Sequence, residues 1–415
     1  MSLFKNRNFL LLWQGQLVSQ MGSKISLIAL SWYFVAHINH NQGFVLLLLI
    51  SSLPALLLGV LVGPFVDRWN KKHILIASDF LSALIAAVLA MLIYFQVTQH
   101  IYIYICVFLL SVMTLFFNPA ATAMVPALVN KEQVQQGISL QTMVMFVAQF
   151  AGAALGGVLV ALTGVFWAIM INALSFLLSA VSELFIRYTH QRESTEGGHF
   201  NKLREGFHYV KERPVILRQF ILFSLLNLFA VPMTVFIPIL VDDYLGLGSI
   251  AFGFAESGLP VGAIAAAILM AGLAATNHIK WLKNSMVLLS LAFFIIFLGR
   301  DIVCVVGAMV VFGFFLNTLN INAVSFYAKA VAPGMQGRFF TLLDTVAFGS
   351  FPLAYLATGL LIQHIDAYDL VLANGLAVFA LGLFSFFYLR QKPSTSLGEA
   401  AGAPPLPGDR TPGCG

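Results

Sequence analysis

Charge is what this sequence has least of. Only 9% of its 415 residues are Asp, Glu, Lys or Arg, against about 25% in an ordinary soluble protein. A soluble chain of this length could not cover its surface with so few charges, which excludes a soluble enzyme or a nucleic-acid binder. Cysteine is also scarce: three residues cannot build a disulfide framework. Cys106 and Cys304 read as packed thiols, and the nine histidines make no metal-spaced cluster. The chain has no nucleotide-binding loop and no nucleophile constellation, so no cofactor is implied and direct ATP drive by this chain alone is excluded. What it has instead is apolar mass: 60% hydrophobic residues, with 38 Phe. The formal charge of +5 does not suggest nucleic acid, because the positions of the basic residues explain it better.

A bilayer core about 30 Å thick needs roughly 20 apolar residues as helix. Twelve segments meet that need: 9–36, 44–65, 74–94, 101–125, 134–162, 166–186, 216–240, 250–274, 286–298, 302–327, 339–362 and 370–389. The ninth is short and is expected to start near Leu282. The expected class is an all-α membrane protein with a lipid bilayer as its surroundings. The first segment reads as a span rather than a cleaved signal peptide. It is about twice the length of a signal core, carries Gln14, Gln16 and Gln20, and lacks a small-residue cleavage site.

Basic residues set the expected orientation. With the N-terminus in the cytoplasm, the tails and the loops after even-numbered segments hold 20 of the 22 Lys and Arg residues. Arg300 alone falls outside, and Lys24 lies within segment 1. Both termini are thus expected in the cytoplasm. Trp13, Trp69, Trp167 and Trp281 fall near predicted interfaces, which amphipathic rings favour.

The hydrophilic stretch 187–215 divides the chain into six segments plus six, residues 1–186 and 216–392. Its composition is that of a linker, with a short surface helix expected over 202–213. The tail 393–415, with five Pro and five Gly, is expected to be disordered. Two six-helix halves are a common plan for secondary transporters.

Between segments 2 and 3 the chain reads Gly63, Pro64, Phe65, Val66, Asp67, Arg68, Trp69, Asn70, Lys71, Lys72, His73, Ile74, Leu75. This resembles the signature loop of the major facilitator superfamily, G-x-L-A-D-R-x-G-R-K-x-x-L, at the place where that family carries it. Asn70 stands where the family has Gly, and Asn tolerates the left-handed backbone that a turn Gly supplies.

Further stretches resemble the branch of macrolide-efflux proteins and enterobactin-type siderophore exporters. They are Leu12 to Gln16 with Ser19 and Gly22, Asn118 to Ala120 with Ala123 to Val129, and Leu203 to Val210 with Pro214. Pro333 with Gly337, Arg338 and Phe339 complete the set. The resemblance covers about residues 1–392 and implies the twelve-helix major facilitator fold. It also implies a cytoplasmic latch formed by Gly63, Asp67, Arg68, Lys71, Lys72 and Arg338, with Asp67 near the start of segment 11. Departures bear on proton coupling. Ser23 follows the segment 1 Gly where an acid is frequent, segment 5 lacks the Gly-Pro of antiporters, and segment 4 lacks an arginine.

In this family segments 1, 4, 7 and 10 line the cavity. Here they carry polar residues at helical spacing: Gln16, Gln20 and Lys24; Ser111, Thr114 and Asn118; Asn227 and Thr234; Asn317 and Asn320. Such residues either line a cavity or hydrogen-bond between helices. Segment 6 has an equal stripe, Ser175, Ser179 and Ser182, on a helix expected to be peripheral. Gly152, Gly156 and Gly157 permit close helix approach.

Five charges fall inside or near the ends of spans. Asp79, Glu183 and Asp344 sit toward cytoplasmic ends, within reach of the interface. Lys24 and Glu256 are deeper, and their expected depths nearly coincide. Lys24 lies about 22 Å up segment 1 from the cytoplasmic end, and Glu256 about 9 Å down segment 8 from outside. Together with Gln16, Gln20, Asn317 and Asn320 they are the expected substrate or proton pathway.

The function implied by the resemblance is export of a small amphipathic molecule, macrolide-like or a siderophore, by alternating access with a coupling ion, expected to be the proton. The location implied is the bacterial cytoplasmic membrane. A lysophospholipid flippase or an importer would use the same fold. A membrane-embedded enzyme would need clustered His, Asp or Glu at one depth, which the sequence does not offer.

Overall fold

The computed structural model describes residues 3–38, 41–188, 207–273, 277–332 and 335–389. Residues 189–206 of the expected linker 187–215 and the whole expected tail 393–415 lie outside them. The described residues form helices and turns, with no strand among them.

The helices are α1 (Arg7–Trp32, prolonged by a wider turn at Tyr33–His37), α2 (Asn41–Arg68), α3 (Lys71–Tyr94) and α4 (Ile101–Leu128). A single run Val134–Leu184 is broken at Gly164, whose φ of 82° only glycine adopts without strain. It therefore comprises α5 (134–163) and α6 (165–184). There follow α7 (Pro214–Ala230, continued by Met233–Ile239 and Leu240–Tyr244), α8 (Ser249–Gly272) and α9 (His278–Gly299). The last three are α10 (Ile302–Ala330), α11 (Gln336–Leu361) and α12 (Ala367–Tyr388). Residues 207–211 are also helical, within the surface helix expected over 202–213.

Two sequence boundaries need correction. The ninth helix begins at His278, eight residues before the apolar run, because the Asn277 side chain caps it by accepting from Lys280 N. The seventh bends at Pro232, which has no N–H to continue the ladder, and then extends to Tyr244. Nine helical runs among the described residues are long and apolar enough to cross a membrane, one of them being α5 and α6 together. The α1 helix is the least apolar, with three glutamines and Lys24 along it.

Hydrogen bonds between helix ends fix the up-and-down order. At one end, Asn6 Nδ2 donates to Leu128 O at 2.6 Å and Lys72 Nζ to Leu184 O at 2.9 Å. Arg187 N donates to Asn8 Oδ1 at 3.0 Å, and Lys283 Nζ to Leu389 O at 2.9 Å. This is the end rich in Lys and Arg, called the basic end below. At the far end Tyr104 donates to Gly43 O at 3.2 Å and Tyr244 to Asp366 Oδ2 at 2.6 Å. Large apolar side chains such as Leu162, Leu298, Val303 and Phe387 stand exposed around the bundle, as a lipid-facing surface requires.

Within the first six helices, α1 lies against α5 and α6, and α3 against α4 and α6; within the last six, α10 packs on α8 and α9. The two groups meet along α5 with α8 and α2 with α11.

Asn70 corrects a second expectation. Its backbone is extended, φ −64° and ψ 113°, not left-handed, and its side chain accepts from Lys72 N at 3.0 Å. It serves as the N-cap of α3, a role that its side-chain oxygen fills and a glycine could not.

Candidate functional site

Lys24 lies on α1 and Glu256 on α8, one in each group of six helices. Lys24 Nζ donates to Glu256 Oε2 at 2.8 Å, with side chains only 11% and 9% exposed. So short a contact between ions is a charge-assisted bond, strong where water is scarce. The lysine reaches across because α5 carries no side chain in its way. A Cβ on Gly152 would come 2.8 Å from both Lys24 Cβ and Met21 O.

Two further helices contribute groups that the sequence did not single out together. Tyr355 of α11 engages Thr234 of α7 through its hydroxyl and lies within electrostatic reach of Glu256. Thr234 belongs to the expected stripe; Tyr355 does not, since an isolated tyrosine in an apolar span gives no periodic signal. The pair is thus framed by α1, α5, α7, α8 and α11.

Beyond the pair, toward the far end, the two groups of helices are closed on each other. Gly157 of α5 and Gly253 of α8 face each other so closely that a Cβ on either would lie 2.9 Å from the other's Cα. Ser249 Oγ donates to Gly157 O at 3.0 Å. Trp32 stacks on Phe252 with centroids 6.0 Å apart, and Asn41 Nδ2 donates to Asp243 Oδ2 at 2.7 Å. The glycine cluster of α5 therefore divides its work: Gly152 and Gly156 admit α1, and Gly157 admits α8.

The other expected pathway residues separate. Gln16 is buried at 2% exposure, one turn below Gln20, which is half-buried. Asn317 Nδ2 donates to Ala263 O at 2.7 Å and so ties α10 to α8. Asn320 is half-buried. Asn322, two residues on, is 1% exposed and receives His278 Nδ1 at 3.0 Å, while Lys329 Nζ meets His278 Nε2 at 2.9 Å. That network joins the start of α9 to the end of α10.

Of the expected latch residues, Arg68 is exposed, Lys71 is buried, and Lys72 closes the end of α6. Gly63 and Asp67 are helical in α2 and Arg338 in α11, but their side chains lie outside the described residues, as does that of Asp344. Leu56 of α2 lies against Gly349 of α11, and Val45 against Gly359, so these two helices do pack.

Two carboxyls depart from expectation. Asp79 and Glu183 do not face solvent; they are 3% and 0% exposed. Ser179 and Ser175, on the stripe expected to be peripheral, instead face Gly15 and Gly22 of α1. A cavity of about 710 Å³ lies beside α2, α3 and α4, lined by Arg68, Trp69, His73, Leu81 and Phe116 among others. It is mostly apolar and contains neither Lys24 nor Glu256, so the candidate site is placed at the ion pair.

The profile of the transmembrane secretion effector family matches residues 1–404. The chain is 24% identical to an uncharacterized transporter of the major facilitator type, YkuC of Bacillus subtilis (strain 168), over 94% of this chain and 93% of that one. It is 21% identical to macrolide efflux protein A of Streptococcus pyogenes, over 90% and 94%. Among solved structures, the nucleoside transporter NupG matches with a TM-score of 0.74 at 14% identity, over 92% of this chain and all of that one. That likeness shows the fold. With its helices, their order and the family match in agreement, the chain is a multi-pass membrane transporter that belongs to the transmembrane secretion effector family, within the major facilitator superfamily.

Proposed function

We propose that this transporter exports a small amphipathic molecule from the cytoplasm by alternating access, driven by protons. The working units are two six-helix halves, 1–186 and 216–392, joined by 187–215 and rocking about the Lys24–Glu256 level. Both termini face the cytoplasm of a bacterium across its inner membrane, because 20 of 22 basic residues then fall on the inner side. The cargo class is drug-like, as a macrolide is, or a siderophore.

The observation that carries this reading is the Lys24–Glu256 bond of 2.8 Å between the halves. An ion pair within a membrane span is costly to bury and is kept where it has work to do. When the halves separate, the two charges must part and find new partners. A proton on Glu256 and a cargo group on Lys24 would supply them. The latch of Asp67, Arg68 and Arg338 would then hold the basic end shut in the opposite state. The resemblance to macrolide-efflux proteins supports export, and Gln16, Gln20, Asn317 and Asn320 are proposed to flank the route.

The test is transport itself. Cells lacking the gene and cells overproducing the protein are screened for accumulation of macrolides and siderophores. Export is then measured in proteoliposomes under an imposed pH gradient. Glu256→Gln and Lys24→Ala are expected to lose gradient-driven export. Full export by both would overturn the assignment, and cargo uptake into producing cells would make the protein an importer.

A further inference from the structure

We propose that Asp79 and Glu183 form a second, separate ion-binding site inside the first six helices, and that its ligand is a proton. Asp79 sits on α3 and Glu183 at the end of α6, close enough for each to feel the other's charge. They are 3% and 0% exposed, and Ser179, which lies against Asp79, is 1% exposed. Asp79 Oδ2, Glu183 Oε1, Glu183 Oε2 and Ser179 Oγ are all without a hydrogen-bond partner. Three carboxyl oxygens without a partner in one buried cluster would cost several kcal/mol if both carboxyls were ionised.

Among the described residues, no charged side chain on the surrounding helices makes an ion pair with Asp79 or Glu183. On α1, Arg7 is exposed, Gln14 donates to Ser182, and Gly15 faces Ser179. Lys24, farther along α1, is held by Glu256. On α3, Lys72 Nζ donates to Leu184 O, His73 is exposed, and neither Lys71 nor Lys72 makes an ion pair among the described residues. Past α6, Arg187 is exposed. The α4 and α5 helices carry no charged residue.

Two like charges so placed cannot both persist without a counter-ion. The donor set is all oxygen, which suits a proton or a hard cation. A proton fits best, since it occupies no volume and converts one carboxylate into a donor for the other. One proton shared by the pair removes most of the deficit at once. The site lies behind α1, on the side of that helix away from α8, so it does not compete with cargo at Lys24. Its occupancy would instead set how tightly α3 holds α6, the helix against which α1 lies. Deprotonation would leave two repelling carboxylates there and loosen the helix that carries Lys24.

The experiment uses the full-length protein in detergent and does not depend on knowing the cargo. Infrared spectra are recorded from about pH 6 to pH 9, the range in which buried carboxyls can ionise, in H2O and D2O, with and without sodium. The expected result is a protonated carboxyl C=O band in wild type at pH 7, shifted by D2O and insensitive to sodium. It should weaken in Asp79→Asn and in Glu183→Gln, and lose that component in the double variant. Both substitutions are isosteric and mimic the neutral acid, so folding should hold. Thermal unfolding gives a second reading: wild type should lose stability as pH rises through this range, and the double variant should not. No acid band in wild type at pH 7 would overturn the proposal. So would an unchanged band in the double variant, or a band that sodium abolishes, which would make the site a cation site.

Discussion

Lys24 Nζ lies 2.8 Å from Glu256 Oε2, although 232 residues separate them in sequence. Removing one partner of a buried pair leaves an uncompensated charge, a loss of about 3–5 kcal/mol. Lys24→Ala should therefore destabilise more than the double variant Lys24→Ala/Glu256→Ala. The charge-swapped Lys24→Glu/Glu256→Lys should recover most of the stability but little transport, since cargo and proton would meet the wrong partner. Thermal unfolding in detergent and export in proteoliposomes measure the two separately. Equal stability of all three variants would mean that the pair carries no net interaction.

The contact of Gly157 with Gly253 makes a steric prediction. A methyl group on either would lie 2.9 Å from backbone that cannot rotate away. Gly253→Ala should push α8 off α5 and open the far end. Cysteines introduced at Trp32 and Phe252, stacked at 6.0 Å in the closed arrangement, should then become more reactive toward a polar maleimide and should cross-link less. Unchanged cross-linking would show that the helices absorb the methyl without parting.

Tyr355 touches Thr234 and sits near Glu256. Tyr355→Phe keeps the ring and removes the hydroxyl, costing about 1 kcal/mol of hydrogen bonding. Its expected effect is a shift in the pH profile of export with near-normal folding. Thr234→Val should produce the same shift, and the two together no more than either alone.

Topology is checked by cysteine labelling from outside intact cells. Positions near His40 and Asp366 should react, and Gly197 should not. Reaction at Gly197 would invert the orientation read from the basic residues.

The latch is tested by Asp67→Asn. Transport should fall severalfold with expression largely retained, because the substitution removes an anion that the start of α11 would attract without altering apolar packing. Normal transport would remove Asp67 from the latch.

The sequence by itself determined the twelve helices, their alternation and the depth of each charge along its own helix. Those properties are local: an apolar run of sufficient length must become helix in lipid, and basic residues stay in its loops. Equal depth even made Lys24 and Glu256 plausible partners, since a membrane supplies a common ruler for separate helices. What depth could not give is azimuth, the direction in which a side chain leaves its helix. Asp79 and Glu183 read as interface residues by depth, yet α3 and α6 turn them inward. Ser179 and Ser175 read as peripheral, yet they meet α1 at Gly15 and Gly22. Asn317 reads equally as a cavity-lining or a helix-bridging group, and it bonds Ala263. Azimuth is set by which small residues let which helices touch, a pairwise property of segments far apart in sequence, and so only the tertiary structure decides it.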